Sequence, residues 1–364
     1  MKYIVHICRI LVGGLFIFSG LIKVNDPVGT AIKMEEYFEI FSLEFAEFFH
    51  LFVPFALPIS VFLVVLEVVL GIALILNYRQ NLILYSLLII VVFFTFLTGF
   101  SAITNSVTDC GCFGDAIKLT PWESFTKDII LTVLILILYF TGHNPQSESQ
   151  EKISHFVVGG TLVISLGLAL YAIAHLPFID FRAYKTGNHI PTEMQPSAPY
   201  LFEYIMEKDG KQEAFPTYPT DKSYKFISMN HLNTEAAPKI TDFAVWNDDG
   251  DFTEEVFVGR KLYVILYDVT KSDASKIAEI NDLATALKGK IEVAALTASD
   301  GKVFEAFQQE HGLNVPYYYT DATVLKTIAR SNPGLWMLNE GTVIGKWHAN
   351  DVPSADEVMD LVRY

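Results

Sequence analysis

Thiols are scarce in this chain. Cys8, Cys110 and Cys112 are the only cysteines among 364 residues, and none lies beyond position 112. So few exclude a disulfide-dense secreted scaffold, and they exclude the paired Cys sets that close a structural zinc site. Charge is sparse as well. Only 18% of residues are charged, and 41 acids against 26 bases give a net charge of −15. That balance argues against a nucleic-acid partner, which selects basic faces. A clean small-residue cleavage site is missing after the first apolar run, so that run is expected to be retained.

What is abundant is apolar surface. The chain is 51% hydrophobic and holds 28 Phe. The charge is unevenly spread. Residues 1–174 carry 8 Lys and Arg and 13 Asp and Glu, which leaves 26 − 8 = 18 and 41 − 13 = 28 for residues 175–364. The second half therefore has ordinary water-soluble composition, and the first reads as membrane. A spanning helix needs about 20 mostly apolar residues. Five stretches qualify, near 4–22, 59–76, 82–100, 125–140 and 153–174. With the N-terminus inside, Lys2, Arg9, Arg79 and Lys152 fall on the cytoplasmic side and Lys23, Lys33, Lys118 and Lys127 on the outer side. The count is nearly even, and Arg79, in the short turn NYRQN, is the best single marker. The 23–57 loop, the loop around residue 110 and everything after 175 then share the outer side. Residues 34–52 alternate acids with Phe, Leu and Ile at near-helical spacing, which predicts a helix packed on the protein.

The second half begins irregularly, with six prolines between 177 and 219. Within it, FEYIMEKDGKQEAF alternates on both sides of Asp209-Gly210 and predicts a β-hairpin. From Asp242 onward, strand and helix patterns alternate and end in a hairpin at Glu340-Gly341 and a final helix. This is the pattern of an α/β layered domain.

Two of the three thiols sit in TDCGCFGD, between two apolar runs. C-x-C is too tight for the usual zinc knuckle, though His50 could add a ligand. A disulfide between residues two apart needs an unusual backbone, and Gly111 supplies the freedom. Such a link closes a tiny loop and adds little stability, which favours reversible exchange over a structural bridge. Asp109 and Asp115 flank the pair and disfavour negative charge on sulfur. Two small residues packing a tight turn remain the plain alternative. Thr120-Pro121-Trp122-Glu123 then starts the next helix with a capping box, so the loop is held at both ends. Glu67 lies in the middle of the second apolar run, where an ionisable group faces the bundle interior and marks function. Burial favours its neutral form, which could donate a hydrogen bond or serve as an interhelical clasp. Lys23 is placed to snorkel toward the interface. Asn25, Asp26 and Pro27 suffice to stop a helix and turn the chain. Cys8 reads as a small packing residue.

FSGLIKVNDPVG, LEVVLGIALIL and CGCFGD together resemble the DoxX/MauE family of small four-helix membrane proteins, over roughly residues 1–145. CGCFGD points to the MauE-like branch. The resemblance implies a bacterial inner-membrane protein tied to envelope redox chemistry, as MauE is tied to maturation of methylamine dehydrogenase. It implies Cys110 and Cys112 as the functional pair, with Glu67 and Asp26 as accompanying polar residues. Residues 238–364 resemble a thioredoxin-fold domain, with Pro333 in its cis-proline position. The segment VTKSDASK stands where that fold carries C-x-x-C, so the domain cannot itself exchange disulfides.

The expected architecture is thus an α-helical membrane bundle followed by an α/β thioredoxin-like domain. Four MauE-like helices fill 1–145, a fifth span 146–176, a periplasmic linker with a hairpin 177–237, and the thiol-free domain 238–364. The expected function is thiol/disulfide exchange at Cys110 and Cys112, with Glu67 managing protons, in support of envelope protein maturation. Its partners would be a periplasmic client protein, membrane lipid and a membrane redox partner. No bound cofactor or metal is expected, and a quinone is the one carrier the reading admits. The alternative is a non-enzymatic scaffold whose thioredoxin-like domain binds a periplasmic partner.

Overall fold

The computed structural model describes residues 2–107, 111–141 and 147–363. It divides into two compact units, Met1–Phe181 and Arg182–Tyr364.

Five helices of the first unit are long and apolar enough to cross a membrane: Tyr3–Asn25, Glu47–Ile75, Gln80–Thr104, Pro121–Thr141 and Glu148–Ala174. Helix α1 (Lys2–Asn25) stops where Asp26-Pro27 begins α2 (Pro27–Glu44), with proline in its first turn. A 3-10 segment, Glu47–Phe55, leads into α3 (Ala56–Ile75). The turn to α4 (Gln80–Thr104) passes through left-handed Asn77 and Arg79, which lets it be short. Helix α5 (Pro121–Thr141) opens on the expected box, since the Thr120 N–H and hydroxyl both donate to Glu123 at 2.8 Å. Helix α6 (Glu148–Ala174) opens on a second box formed by Ser147 and Gln150.

Helices α1 and α3 meet through glycine. A Cβ at Gly71 would lie 2.8 Å from the Gly13 carbonyl oxygen, and one at Gly20 would lie 2.9 Å from the Val68 nitrogen. Small residues let spanning helices approach this closely, where lipid offers no hydrophobic drive to associate. Val12, Phe16, Leu74, Leu87, Val91 and Ile135 fill the core beside this contact. Helix α2 packs on the protein as expected, but the helix expected over 34–52 ends at Glu44, and Glu47–Phe55 is a 3-10 segment with no buried residue. Tyr37 and Phe41 are buried, and the Phe41 ring lies 5.1 Å from that of Phe100 on α4. At the far end of the bundle, Asn25 donates to the Ile179 carbonyl at 2.8 Å and accepts from its N–H at 2.9 Å.

The second unit holds two sheets. Strands β1 (Phe202–Lys208) and β2 (Lys211–Phe215) form the predicted hairpin, with Asp209 and Gly210 both at positive φ. Strand β3 (Lys225–His231) adds a third member on the other side of β1. The larger sheet is reached after a short helix, α7 (Ile190–Glu193), and starts with the two-residue strands β4 (Trp246–Asn247) and β5 (Gly250–Asp251). There follow β6 (Arg260–Leu266), α8 (Ile277–Leu287), β7 (Glu292–Thr297), α9 (Gly301–His311), β8 (Tyr317–Tyr319) and α10 (Ala322–Ile328). Strands β9 (Gly334–Asn339) and β10 (Thr342–His348) and helix α11 (Ala355–Leu361) close the chain. The order β10-β9-β6-β7-β8-β4-β5, with β6 and β7 parallel and β9 antiparallel to β6, is a βαβ unit joined to a ββα unit. This is a thioredoxin-like fold.

Its sheet is buried on both faces. Leu262, Val264 and Leu266 face one core with α8 and α9, while Tyr263, Ile265 and Trp336 face the other with α10. That explains why β6 reads as a continuous apolar run rather than alternating. The irregular stretch before the domain is not idle linker, because Tyr184 and Ile190 belong to the second core. Burial and a nearby Asp242 push the Tyr184 hydroxyl above its ordinary range.

The α1–α3 glycine contact predicts an inversion of helix propensity. Alanine normally stabilises a helix over glycine by about 1 kcal/mol. Gly71→Ala is nonetheless expected to destabilise the protein by about 1–3 kcal/mol through overpacking. Gly159→Ala, with nothing within 4 Å of its Cβ position, is expected to be neutral or stabilising. Thermal melting of both variants in detergent checks this.

Candidate functional site

The site lies inside the membrane unit, where α1, α2, α3, α4 and α5 surround a cavity beside the CGC loop. Its free space is about 850 Å³, counting the open mouth. Most of the lining is apolar, so the few polar groups that reach it stand out.

Helix α1 contributes Lys23 and α3 contributes Glu67, one from each side of the close glycine contact. Lys23 Nζ lies 2.5 Å from Glu67 Oε1 and 2.8 Å from Oε2. Both residues are buried, at 6% and 2% exposure. This corrects one sequence expectation. Lys23 does not snorkel, because a carboxylate meets it inside the bundle. Glu67 clasps α3 to α1 through Lys23 and Ser19. The Ser19 hydroxyl lies 3.0 Å from Glu67 Oε2 and 2.8 Å from the backbone carbonyl oxygen of Cys112. One hydroxyl hydrogen thus serves both the ion pair and the cysteine loop. The Lys23 ammonium also stands 5.1 Å from the centre of the Phe94 ring, within cation–π range.

Helix α5 contributes a second pair. Lys127 Nζ lies 2.7 Å from Asp128 Oδ1, and the buried Asp128 also accepts from the Thr98 hydroxyl at 3.0 Å. The same ammonium lines the cavity together with Cys112 and stands 5.5 Å from the centre of the Phe113 ring.

Cys112 is a free thiol, half-buried, and lines the cavity. Gly111 has φ +64°, the left-handed backbone that the C-x-C spacing calls for. Cys110 lies outside the described residues, so the pairing of the two thiols does too. The structure therefore brings Cys112 and Glu67 into one cavity. It does not bring in Asp26, whose carboxylate caps α2 by accepting from the Gly29 N–H at 2.8 Å. His50 is exposed on the 3-10 segment and is absent from the lining, and Cys8 is buried in the bundle core. Sequence reasoning passed over Ser19, Lys127 and Asp128. The available signal was Lys127-Asp128, two adjacent charges inside an apolar run, which demand partners there.

In the thioredoxin-like unit the stretch after β6 takes the place of a dithiol. The stretch holds no cysteine. The Asp273 N–H donates to the Asn332 carbonyl at 2.9 Å, just ahead of the cis peptide to Pro333. The Ser275 hydroxyl is engaged with Asp273 at 2.7 Å, and this bond with the Ser275 N–H holds that carboxyl below its usual range.

Comparison with known proteins agrees with this division. Residues 1–141 match the family model for methylamine utilisation protein MauE. Protein TlpB of Flavobacterium psychrophilum is 29% identical over 225 residues. That alignment covers 59% of this chain and 59% of the relative, so the chain spans less than two thirds of that protein's length. No solved structure matches.

The buried pair yields a prediction. Removing one member leaves an uncompensated charge in an apolar setting, at a cost of about 3–5 kcal/mol. Lys23→Met and Glu67→Met are each expected to lower the melting temperature in detergent sharply. The double variant, which removes both charges, is expected to recover most of the loss.

Proposed function

We propose, starting from a MauE-like membrane domain joined to a thiol-free thioredoxin-like domain, that the chain is a membrane redox accessory protein. Its working groups are Cys110 and Cys112, cycling between dithiol and disulfide. The observation that carries this is the Cys112 thiol at the wall of a cavity that Lys127 also lines.

A client dithiol supplies the electrons. One client thiolate attacks a sulfur of the Cys110–Cys112 disulfide, and the S–S bond breaks as a mixed disulfide forms. The second client thiol then displaces the mixed bond. The client ends as a disulfide, and the pair ends as a dithiol that has gained two electrons and two protons. Lys127 stabilises charge on the departing sulfur. The Ser19 hydrogen bond to the Cys112 carbonyl and the left-handed Gly111 hold the loop in the geometry that exchange needs. The Lys23–Glu67 pair fixes the wall behind it. The client is a protein of the bacterial envelope, the bundle sits in the inner membrane, and the soluble unit lies on the periplasmic side, where disulfides persist. The thioredoxin-like unit captures the client without reacting with it.

A scaffold reading has one observation in its favour, the lack of any cysteine in the soluble unit. The two readings separate by experiment. Alkylation of membranes is expected to tag Cys110 and Cys112 only after reductant, and a Cys110→Ser/Cys112→Ser variant is expected to lose client maturation. Equal labelling with and without reductant, or full function in the double variant, would leave the scaffold. Lys127→Met is expected to slow reaction of the pair with glutathione disulfide on the order of 10- to 100-fold.

A further inference from the structure

A second cavity adjoins the first and differs from it in kind. It is lined by apolar and aromatic residues, among them Phe38, Phe41, Phe45, Phe49, Phe93 and Phe96, and its free space is about 860 Å³ counting the open mouth. Four residues, Met34, Tyr37, Phe93 and Leu97, line both cavities. The two spaces therefore adjoin between α2 and α4. Phe45, Phe93 and Phe96 are 56%, 41% and 54% exposed, so the second chamber opens on a greasy flank of the spanning region. That flank faces hydrocarbon when the bundle is in a membrane.

The two chambers ask for different halves of one ligand. The first offers the ammonium groups of Lys23 and Lys127, each paired with a carboxylate, beside the Cys112 thiol. Such donors suit carbonyl oxygens, and suit them better as negative charge grows on them. The second offers only ring faces and edges, which suit a long unsaturated or branched hydrocarbon. An occupant with a flat, oxygen-bearing head and an apolar tail fills both. The reaction sequence narrows it further. A dithiol that has taken two electrons from a client must pass them to a two-electron acceptor that reaches it through lipid.

We propose that the joined cavities form a binding site for an isoprenoid quinone, with its head beside Cys112 and its tail among the phenylalanines of α2 and α4. The electron-accepting part of this rests on the thiol-exchange reading above. The step balances. The two S–H bonds of Cys110 and Cys112 break and one S–S bond forms, so the pair loses two electrons and two protons. The quinone takes both electrons, its two carbonyl oxygens take the protons, and it leaves as the quinol.

The test uses the full chain in nanodiscs of synthetic phospholipid. A photoreactive azido-quinone is added to the Cys110→Ser/Cys112→Ser variant, and labelled peptides are mapped by mass spectrometry. Labelling is expected on α2 and α4 and is expected to fall at least tenfold with excess decylubiquinone. Leu97→Trp, which narrows the place where they adjoin, is expected to reduce labelling about tenfold while leaving the melting temperature near that of the parent. Met34→Phe does the same job should Leu97→Trp fail to fold. Labelling elsewhere, labelling indifferent to both substitutions, or displacement by oleate as readily as by decylubiquinone overturns the proposal, the last outcome marking a lipid site. Wild-type dithiol protein is then mixed with decylubiquinone, and quinol is followed by absorbance. Exchange with glutathione disulfide without quinone labelling sinks the quinone site and spares the thiol reading. Mapped labelling without quinol formation or disulfide exchange sinks the thiol reading and leaves the binding site.

Discussion

A lysine and a glutamate facing each other inside an apolar bundle set the terms for the rest of the membrane unit. Neither charge is tolerable alone at that depth, so α1 and α3 must present Lys23 and Glu67 to one another in one register. The glycines at 13, 20 and 71 bring the two helices close enough for that register to be reached. Ser19, one turn before Lys23 on the same helix, then carries the arrangement outward, since its hydroxyl touches both the glutamate and the Cys112 carbonyl. The position of a loop at the edge of the bundle thus follows from a charge pair within it. A salt bridge this well buried is weak evidence for stability as such, and its clearer use is to fix which faces meet.

The two units differ in where their sulfur lies. In the second unit the sheet, its two cores and the cis-proline turn are intact, and no cysteine is present. In the membrane unit Cys112 lines a cavity that Lys127 on α5 also lines.

Most of the fold was legible in the sequence, because it is written in periodicity. Five apolar runs gave five spanning helices, the Thr120 box marked the start of α5, and Asp209-Gly210 and Glu340-Gly341 gave hairpins at the expected places. Strand β3 was missed, because KFISMNH is exposed nearly throughout and carries no clean alternation. Tyr184 and Ile190 were missed as core residues because prolines around them read as linker. The site was less legible. Cys112 and Glu67 could be singled out by their rarity, yet their environment could not. Which charge meets Glu67 is decided by helix register across 44 residues, and which cation shares a cavity with Cys112 by the path of a loop into α5. Asp26 shows the converse, since a residue of catalytic type proved to be a helix cap.

One further consequence follows from the amide clasp between Asn25 and Ile179. The polypeptide leaves the bundle for the soluble unit within a few residues of Ile179, and that exit point is fastened by two hydrogen bonds to the end of α1. Mechanical load carried along the chain from the soluble unit meets the bundle at that clasp. It arrives two residues from Lys23, so tension on the tether pulls on the helix whose lysine anchors the interior.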